Sequence, residues 1–454
     1  MRLVNGSCFT VSLCSLLSLV AAPACVETEE PPAAGACPAP EDMTGPTLHA
    51  WSLQGDEVWS AAEGPHVVRG VLAIPEGATL IIEPCAQVLF EADAGLAAEL
   101  PGARLEIRGE PGREVRLQPQ GAARWGDVLV AAPASAEIRH AVISGGGADP
   151  THGNATLVVR GTYDIPTAQP LKVEHVVVED SAGPGLVAEF AAGFADGSDA
   201  LTIRGSGQAG GLPYPLVIGE HTLRSLPAGS YTGNGRDEIL VREENAGTFS
   251  GLQEDTTVRD LGVPYRTDAE SSLRVGAGGE RAPRVTLTLE AGVTFRFAEG
   301  TGIFVHEQVA PDASSGVLRA LGTAERPVVL TSAADDPAPG DWRGIWFDGQ
   351  VDPETLLERV ELAYTGGWCG CSLVSCNEVE SYEAAIVLQR PPGHAFLVDS
   401  TIRDGAGHGI VRSWDGDPGP DLSAGNTITG LAGCAQTLPR AEDGTCPDPR
   451  PVCE

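Results

Sequence analysis

The sequence has few aromatic residues, few basic residues and, after its N-terminal segment, no long apolar run. Aromatic side chains make up 5% of the 454 residues, so small and branched aliphatic side chains must fill most of any core. Hydrophobic residues are nevertheless 42% and charged residues 20% of the chain, which permits a core and excludes wholesale disorder. The lack of a later run of about 18 apolar residues excludes a conventional transmembrane helix.

Positive charge is scarce. Lys172 is the one lysine, and 29 lysine and arginine residues face 62 aspartate and glutamate residues, which gives a formal net charge of −33. Such a surface repels phosphate backbones and anionic lipid headgroups. We therefore expect no nucleic-acid partner, whereas cations and neutral polymers are compatible with the surface.

Residues 1–24 have the pattern of a secretory signal peptide, which predicts export. A basic start at Arg2 precedes an apolar stretch at 9–20 and a small-residue cleavage site. Cys25 comes next and resembles the lipid-modified cysteine of bacterial lipoproteins, so the acidic, proline-rich residues 25–46 would be a tether. Membrane contact would then be through the lipid anchor only. The residues just before Cys25 depart from the usual pattern, which leaves ordinary secretion open.

Nine cysteines lie beyond the signal peptide, and a lipidated Cys25 would leave eight, an even number. Export places them in an oxidising compartment, where disulfides are the usual outcome. The closely spaced Cys369, Cys371 and Cys376 could hold zinc, but no histidine or second cysteine pair accompanies them. We therefore predict disulfides and no metal centre, with the pairing left open. The cysteines concerned are Cys37, Cys85, Cys369, Cys371, Cys376, Cys434, Cys446 and Cys453.

An internal repeat accounts for most of the chain. Residues Thr79–Phe90 match Thr286–Phe297 at an offset of 207 (286 − 79), and both alternate apolar and polar residues as strands do. Residues Asp180–Leu186 match Asp404–Ile410 at an offset of 224 (404 − 180). The growing offset indicates loop insertions in the second copy, which solenoids tolerate. The predicted divisions are copy one at 47–215, copy two at 216–432 and a C-terminal tail rich in Cys and Pro at 433–454.

Short strands interrupted by Gly, Pro and Asp recur in both copies, and no segment has a sustained helical period. Coils of such strands, stacked and hydrogen-bonded at about 4.8 Å, would bury Val, Ile and Leu in a continuous core. The sequence therefore predicts an all-β fold, a right-handed parallel β-helix of two tandem copies. An antiparallel sandwich or propeller is the alternative, but it requires tight hairpins of the Asn-Gly type, which are few here.

The segment Glu76–Pro84 leads to a phenylalanine and is followed by a Leu-x-Ile-x-Gly strand, an apolar strand and Trp-Gly. This order resembles the right-handed parallel β-helix lipoproteins of Gram-negative bacteria, over most of residues 60–210 and 256–430. The resemblance implies a surface or periplasmic β-helix lipoprotein, which we place at the outer membrane or cell surface, and it implies no single activity. Cys85 stands where the pattern has a glycine that copy two keeps, so the resemblance implies a partner for it, with Cys37 the natural candidate.

β-Helices also host polysaccharide hydrolases, and two fragments resemble hydrolase motifs. His408 lies in a Gly-His-Gly tripeptide like that of polygalacturonase-type hydrolases, and Asp335-Asp336 resembles the paired aspartates that act there as general acid and water-activating base. The other motifs of those hydrolases are missing, and copy one has Pro184 in place of the histidine. We favour a structural interpretation, in which the two glycines form a tight coil corner and His408 points outward.

A pectate-type lyase would need clustered carboxylates that hold Ca²⁺ and an arginine that acts as base. Two groups have these residue types without the diagnostic spacing. We favour solvated loop acids for both, leave loose surface Ca²⁺ binding open and predict no cofactor. The two groups are Asp415, Asp417 and Asp421 with Arg412, and Asp255 and Asp260 with Arg259.

Exposed aromatic side chains on a β-helix could stack on sugars. Trp342 and Trp346 lie four residues apart, but copy one keeps Trp125 at the position of Trp342, so packing is an equally good explanation there. Trp368 and Trp414 are predicted to lie in loops. We predict a non-enzymatic scaffold for binding or adhesion, with polysaccharide or another surface molecule as candidate partner. A polysaccharide-degrading hydrolase or lyase is the alternative.

Overall fold

The computed structural model describes residues 35, 37–244, 251–276, 283–306, 316–367, 383–445 and 453. The helices among these residues are four short 3-10 turns, Pro40–Asp42, Ala61–Glu63, Pro150–His152 and Glu220–Ser225. None of the helices in the described part of the chain is long and apolar enough to cross a membrane.

Strands make up the rest of the regular structure. In the first part of the chain they are β1 (Thr47–Ser52), β2 (Glu57–Trp59), β3 (His66–Ala73), β4 (Thr79–Ile82), β5 (Gln87–Phe90), β6 (Gly95–Ala98), β7 (Arg104–Arg108), β8 (Val115–Pro119), β9 (Val128–Ala131), β10 (Ser135–Ser144), β11 (Leu157–Arg160), β12 (Ala168–Glu179), β13 (Leu186–Glu189), β14 (Ala192–Phe194), β15 (Asp199–Arg204), β16 (Leu216–Gly219), β17 (Gly229–Ser230) and β18 (Ile239–Arg242).

The later strands are β19 (Thr256–Val258), β20 (Tyr265–Thr267), β21 (Leu273–Val275), β22 (Val285–Leu289), β23 (Thr294–Phe297), β24 (Ile303–Val305), β25 (Gly316–Leu321), β26 (Val328–Ser332), β27 (Ile345–Phe347), β28 (Leu356–Glu358), β29 (Val360–Ala363), β30 (Ala384–Leu388), β31 (Leu397–Val398), β32 (Thr401–Arg403), β33 (His408–Arg412) and β34 (Thr427–Thr429).

Strands pair in parallel with strands one coil away, so the chain forms ladders along the axis of a solenoid. The first ladder of copy one is β2-β4-β7-β10-β12-β14. The second is β3-β5-β8-β10-β12-β15-β17, and the third is β3-β6-β9-β11-β13-β16-β18. Parallel strands need crossover connections, which the remainder of each coil supplies. The prediction of an all-β, parallel β-helix is confirmed.

The pairing register reproduces the offsets of the sequence repeat. Thr79 pairs with Arg104, and Thr286, 207 residues after Thr79, pairs with Val317. Leu186 of β13 and Ile410 of β33 likewise lie 224 residues apart (410 − 186), and each strand stands three steps after an equivalent strand, β6 in copy one and β24 in copy two. Equivalent segments therefore form equivalent steps of the solenoid.

The two copies share one stack, but their ladders are displaced where they meet. Strands β16 to β18 lie beyond residue 215, the predicted end of copy one, but they extend its ladders, so we count them with copy one. β18 ends the third ladder of copy one, and it pairs with β20 to continue as β20-β23-β26-β29-β32-β34. β23 is the equivalent of β5, which belongs to the second ladder of copy one. The 3-10 turn Glu220–Ser225 contacts both β14 and β19, and so occupies one step between the first ladders of the two copies.

A row of left-handed residues marks one corner of the coil. His140, His175 and Ala200 have φ angles of 42°, 53° and 53°. They lie in successive coils, because the residues just before them are paired across β10, β12 and β15. A left-handed conformation costs a non-glycine residue about 1–2 kcal/mol. The hydrogen bonds on both sides of the corner hold the chain there despite this cost.

One hydrophobic cluster runs from Leu53 to Leu422 through the inside of both copies. Most of its members are aliphatic, as the composition predicts, but the few aromatic residues are concentrated in it. Trp125 stacks on Phe90 with 4.2 Å between ring centroids, and Trp342 stacks on Phe297 at 4.4 Å. Each tryptophan also donates its indole N–H to a main-chain carbonyl, at 2.7 Å and 2.8 Å respectively. These two tryptophans are therefore core residues.

The other tryptophans that were considered for stacking on sugars differ in their surroundings. Trp346 is partly buried and makes an edge-on contact with Phe304, with 5.3 Å between ring centroids. Trp414 is buried and donates its indole N–H to the carbonyl of Asp417 at 2.7 Å. Trp368 lies outside the described residues.

Two disulfides join described cysteines. Cys37 is bonded to Cys85 and Cys434 to Cys453, with Cα atoms 5.5 Å and 5.1 Å apart. Cys85 has a φ of 70°, and Gly292 has a φ of 91° at the equivalent place in copy two. The glycine of the repeat thus serves a left-handed turn, and the disulfide holds Cys85 in the same conformation. The predicted cysteines that fall outside the described residues are Cys25, Cys369, Cys371, Cys376 and Cys446.

Buried histidines make the stability of this fold depend on pH. Burial lowers the pKa of His221 and of His49 to about 4, and it also lowers the pKa of His66. Between pH 6.5, the ordinary value, and pH 4, the unfolded chain therefore binds protons that the folded chain does not. This contribution to stability is fully present above pH 6.5 and is lost as the pH falls.

We expect His221→Gln to reduce the fall in melting temperature between pH 7 and pH 4.5 by a few degrees, because it removes one of these buried groups. Differential scanning calorimetry at the two pH values measures the change. The matched control is His175→Gln, since His175 is exposed. Equal pH dependence in both variants would show that burial of His221 is not responsible.

Candidate functional site

A cleft of about 470 Å³ lies on the outer side of the third ladder, at the end of copy one. Strands β13, β16 and β18 form its base, and the segments that follow them form its walls. We call it the junction cleft. Its lining residues are Tyr163, Val187, Ala188, Glu189, Phe190, Val217, Ile218, Gly219, Arg242, Glu243 and Glu244.

The floor of the junction cleft follows from strand alternation. Successive side chains of a strand point to opposite faces, so the neighbours of the inward leucine and isoleucine residues point out. Val187 pairs with Val217, which places two apolar side chains of the lining in one row, and Leu240 continues that row beside the cleft. They belong to a small hydrophobic cluster separate from the main core. The floor is therefore apolar and is held by main-chain hydrogen bonds.

Two aromatic rings form one wall. Tyr163 and Phe190 have ring centroids 4.6 Å apart and planes inclined by 38°. The N–H of Tyr163 donates to the carbonyl of Phe190 at 2.9 Å, and both residues are left-handed, with φ angles of 59° and 63°. Tyr163 keeps 46% of its surface exposed. The backbone therefore fixes the pair while one ring remains accessible to solvent.

Charged side chains surround the aromatic pair and are themselves paired. The Nε of Arg160 donates to Glu189 at 2.7 Å, and its guanidinium lies 5.4 Å from the centre of the Phe190 ring. Arg242 pairs with Asp268 at 2.8 Å across the next coil. These pairs keep each charge in a fixed place, with oxygen and nitrogen atoms available at the edge of the cleft.

Glu244 ties the far side of the cleft to the aromatic wall. Its two carboxylate oxygens accept the N–H groups of Phe190 at 2.7 Å and Ala191 at 3.1 Å. Burial raises the pKa of Glu244, and these two hydrogen bonds oppose the rise. Gly219 leaves the room for this contact, since a Cβ there would lie 1.9 Å from the Oε2 of Glu244.

Two polar side chains are buried directly beside the cleft. Glu220 follows Gly219 and is 1% exposed, and the main-chain N–H of Glu244 is the one described group close enough to its carboxylate to oppose the rise of its pKa by hydrogen bonding. Burial raises its pKa well above the ordinary value, and the nearby charges of Glu243 and Glu244 add to the effect. The Nε2 of His221 lies 4.0 Å from Glu220, which is too far for a hydrogen bond, and it has no hydrogen-bond partner among the described residues. Burial of such groups is costly, which marks this step as unusual.

The structure corrects the interpretation of His408. Its side chain is buried, with 4% exposed, and does not point outward. Its Nδ1 accepts the N–H of Cys434 at 2.9 Å. The flanking glycines have no left-handed φ; a Cβ at Gly407 would meet the carbonyl of Glu383 at 1.7 Å, and one at Gly409 would meet that of Ala435 at 2.4 Å. They are required by the close approach of neighbouring coils and not by a corner.

The paired aspartates lie in different surroundings from His408. Asp335 has 79% of its side chain exposed and contacts Arg236 at 3.3 Å. Asp336 is also exposed, in the turn that follows β26. The structure thus buries the imidazole of His408 and exposes the two carboxylates to solvent.

The acids considered for Ca²⁺ binding mostly stabilise loops. Asp255 accepts the N–H of Thr286 at 2.7 Å, just as Asp56 accepts that of Thr79 at 2.8 Å in copy one. The other acids accept loop N–H groups or pair with arginine. These contacts are Asp260 with Arg326 and Gly262, Asp415 with Arg440, Asp417 with Gly419, Asp421 with Ser423, Arg412 with the carbonyl of Pro420, and Arg259 with that of Leu226.

Sequence patterns did not indicate the junction cleft. Tyr163 and Phe190 stand at left-handed corners, and Glu244 is more than fifty residues further along the chain. The available signal was the pairing of Arg160 with Glu189 in successive coils, which the register of β11 and β13 creates. That register is visible only once the coil lengths are known.

We expect Gly219→Ala to destabilise the junction cleft, because the new Cβ displaces the carboxylate of Glu244 from the N–H groups of Phe190 and Ala191. The loss of these hydrogen bonds should cost about 1–3 kcal/mol and lower the midpoint of urea denaturation. Gly121→Ala is the matched control, since a Cβ at Gly121 would meet nothing within 4 Å. Identical midpoints for the two variants would show that this contact does not stabilise the fold.

The chain was also compared with known proteins. No family model, no curated protein and no solved structure matches it. What the junction cleft binds must therefore be inferred from its own geometry and charge.

Proposed function

We propose that this protein is a non-enzymatic scaffold of the cell surface and that its junction cleft binds a neutral polysaccharide. The observation that carries the proposal is the aromatic pair of Tyr163 and Phe190, held by the backbone beside an apolar floor and bordered by paired charges. Ligand sites of 300–1,000 Å³ with mostly apolar walls and a few fixed polar groups are usual for small ligands.

Sugars suit this surface for a chemical reason. The C–H face of a pyranose ring is apolar and packs on an aromatic ring, while its hydroxyl groups seek carboxylate and guanidinium partners. Tyr163 supplies an accessible ring, and Glu189 and Arg242 lie at the edge with fixed positions. A neutral polymer also avoids repulsion by the net charge of −33.

The rigidity of the site supports binding. Val187, Val217 and Arg242 lie on strands paired to neighbours on one or both sides. A site on paired strands loses little conformational entropy when it closes on a ligand.

Attachment to a membrane through Cys25 is part of the same proposal. The signal-peptide pattern of residues 1–24 and the acidic, proline-rich composition of residues 25–46 support an outer-membrane or cell-surface location. Mass spectrometry of the mature N-terminus would detect an acylated Cys25, whereas an unmodified thiol would indicate ordinary secretion.

We expect Tyr163→Ala to weaken polysaccharide binding by about tenfold, because the ring contributes apolar area and stacking of roughly 1.4 kcal/mol. Binding to immobilised neutral and acidic polysaccharides measures the effect. Trp51→Ala is the matched control, since Trp51 is 87% exposed and lies on β1, far along the stack from the cleft. Equal loss in both variants, or no binding by the parent protein, would contradict the proposal.

A polysaccharide-degrading enzyme is the alternative, and the same panel can reveal it. Reducing ends or unsaturated products would be measured after incubation, with His408→Ala and Asp336→Ala as variants. Turnover that these variants lose would overturn the scaffold proposal, whereas binding without cleavage would support it.

A further inference from the structure

A small cavity in copy one is lined by three aspartates among small and apolar residues. It has a volume of about 210 Å³, and Asp93, Asp127 and Asp149 are among its lining residues. His152 lies beside them, on the short 3-10 turn Pro150–His152. We call it the aspartate cavity. It lies near the start of β9, away from the lining of the junction cleft.

Three of these side chains converge on one point. The Nδ1 of His152 lies 2.5 Å from a carboxylate oxygen of Asp127 and 3.6 Å from one of Asp149. One ligand atom from each of the three residues lies within 4.8 Å of the other two. Ligands of a tetrahedral zinc ion, bound at about 2.0–2.1 Å, lie roughly 3.3 Å apart. The Nδ1 of His152 and the Oδ2 of Asp149, 3.6 Å apart, are already near that spacing.

Negative charge exceeds positive charge at this point. Asp127 is 7% exposed, so its charge is poorly solvated, and the carboxylates of Asp93 and Asp149 line the same cavity. The positive charge of Arg160 also favours the ionised forms of Asp127 and Asp149, but Arg160 is itself hydrogen-bonded to Glu189. A divalent cation would balance the excess, and a cavity of about 210 Å³ has room for it and for bound water.

One of the three side chains is already oriented. The Oδ1 of Asp149 accepts the N–H and the hydroxyl of Thr151, at 2.8 Å and 2.7 Å. This leaves its Oδ2 facing His152. Hydrogen bonds of this kind fix a carboxylate for metal binding.

The coil itself does not require Asp127. Val128 pairs with Leu96, and Ile345 pairs with Ile303 at the equivalent step of copy two, so Gly344 is the equivalent of Asp127. A Cβ at Gly344 would meet the carbonyl of Ala385 at 2.4 Å, which leaves no room for a side chain there. The acid and the space around it are thus features of copy one and not of the repeat.

From this convergence we propose that Asp127, Asp149 and His152 form a site for Zn²⁺, with water completing the coordination. One imidazole and two carboxylates are donors that zinc accepts. The site is independent of polysaccharide binding at the junction cleft.

Isothermal titration of the EDTA-treated, full-length mature protein with ZnCl₂ tests the proposal. We expect Asp127→Asn and His152→Gln each to weaken zinc binding by at least about tenfold. Bound Co²⁺ should also give a visible absorption spectrum that His152→Gln alters, a readout that a purely structural ion pair would not move. Circular dichroism of each variant checks that the fold is kept.

A second cluster provides the control. His140, Glu174 and His175 also have donor atoms within 4.8 Å of one another, at an exposed corner. His140→Gln/His175→Gln should leave the titration unchanged. Zinc binding that this double variant abolishes and Asp127→Asn retains would overturn the proposal, as would a parent protein that binds no zinc. In the latter case Asp127 and His152 form only an ion pair.

Discussion

Main-chain hydrogen bonds between successive coils are the interaction on which the rest of this structure depends. Each strand donates and accepts along its length to strands about 4.8 Å away, so a side chain in one coil has a neighbour at the same position in the next. Which side chains become neighbours therefore depends on their positions within the coil more than on their separation along the chain. Val187, Val217 and Leu240 become one apolar row in this way, although about thirty residues separate the first two.

The same pairing makes the step between the two copies distinctive. The third ladder of copy one continues as the second ladder of copy two. One continuous outer face therefore belongs to the third ladder up to β18 and to the second ladder beyond it. The junction cleft lies on the strands just before this change, and the buried Glu220 lies in the turn that fills one step of the first ladder. Elsewhere the repeat can satisfy its polar groups with similar contacts in each copy, as Asp56 and Asp255 do. The junction occurs once in the repeat, so its polar groups have no equivalent contact in the other copy to follow.

Local patterns were sufficient to predict the strands and their repetition. Alternation of apolar and polar residues is a property of a few neighbouring positions, and it placed β4 and β22, or Trp125 and Trp342, in equivalent environments. The displacement of the ladders could not be predicted, because it depends on the lengths of several turns and on the 3-10 turn Glu220–Ser225 taking the place of a strand. The junction cleft and the aspartate cavity could not be predicted for the same reason, since their residues come from turns of different coils.

Glycine illustrates the limit of such patterns. Gly292 and Gly219 look alike in a sequence, but the first serves a left-handed turn and the second leaves space for the carboxylate of Glu244. The glycines beside His408 belong to the second kind, and for this reason the expectation of an outward histidine at a corner was wrong.

A solenoid can meet the requirement for close approach at any coil without altering its neighbours, because each coil contacts only the two beside it. Copy one therefore accommodates Asp127 where copy two must have Gly344, and the fold tolerates both. Differences between equivalent steps are not imposed by the architecture. They are the positions at which we propose that this chain binds a ligand.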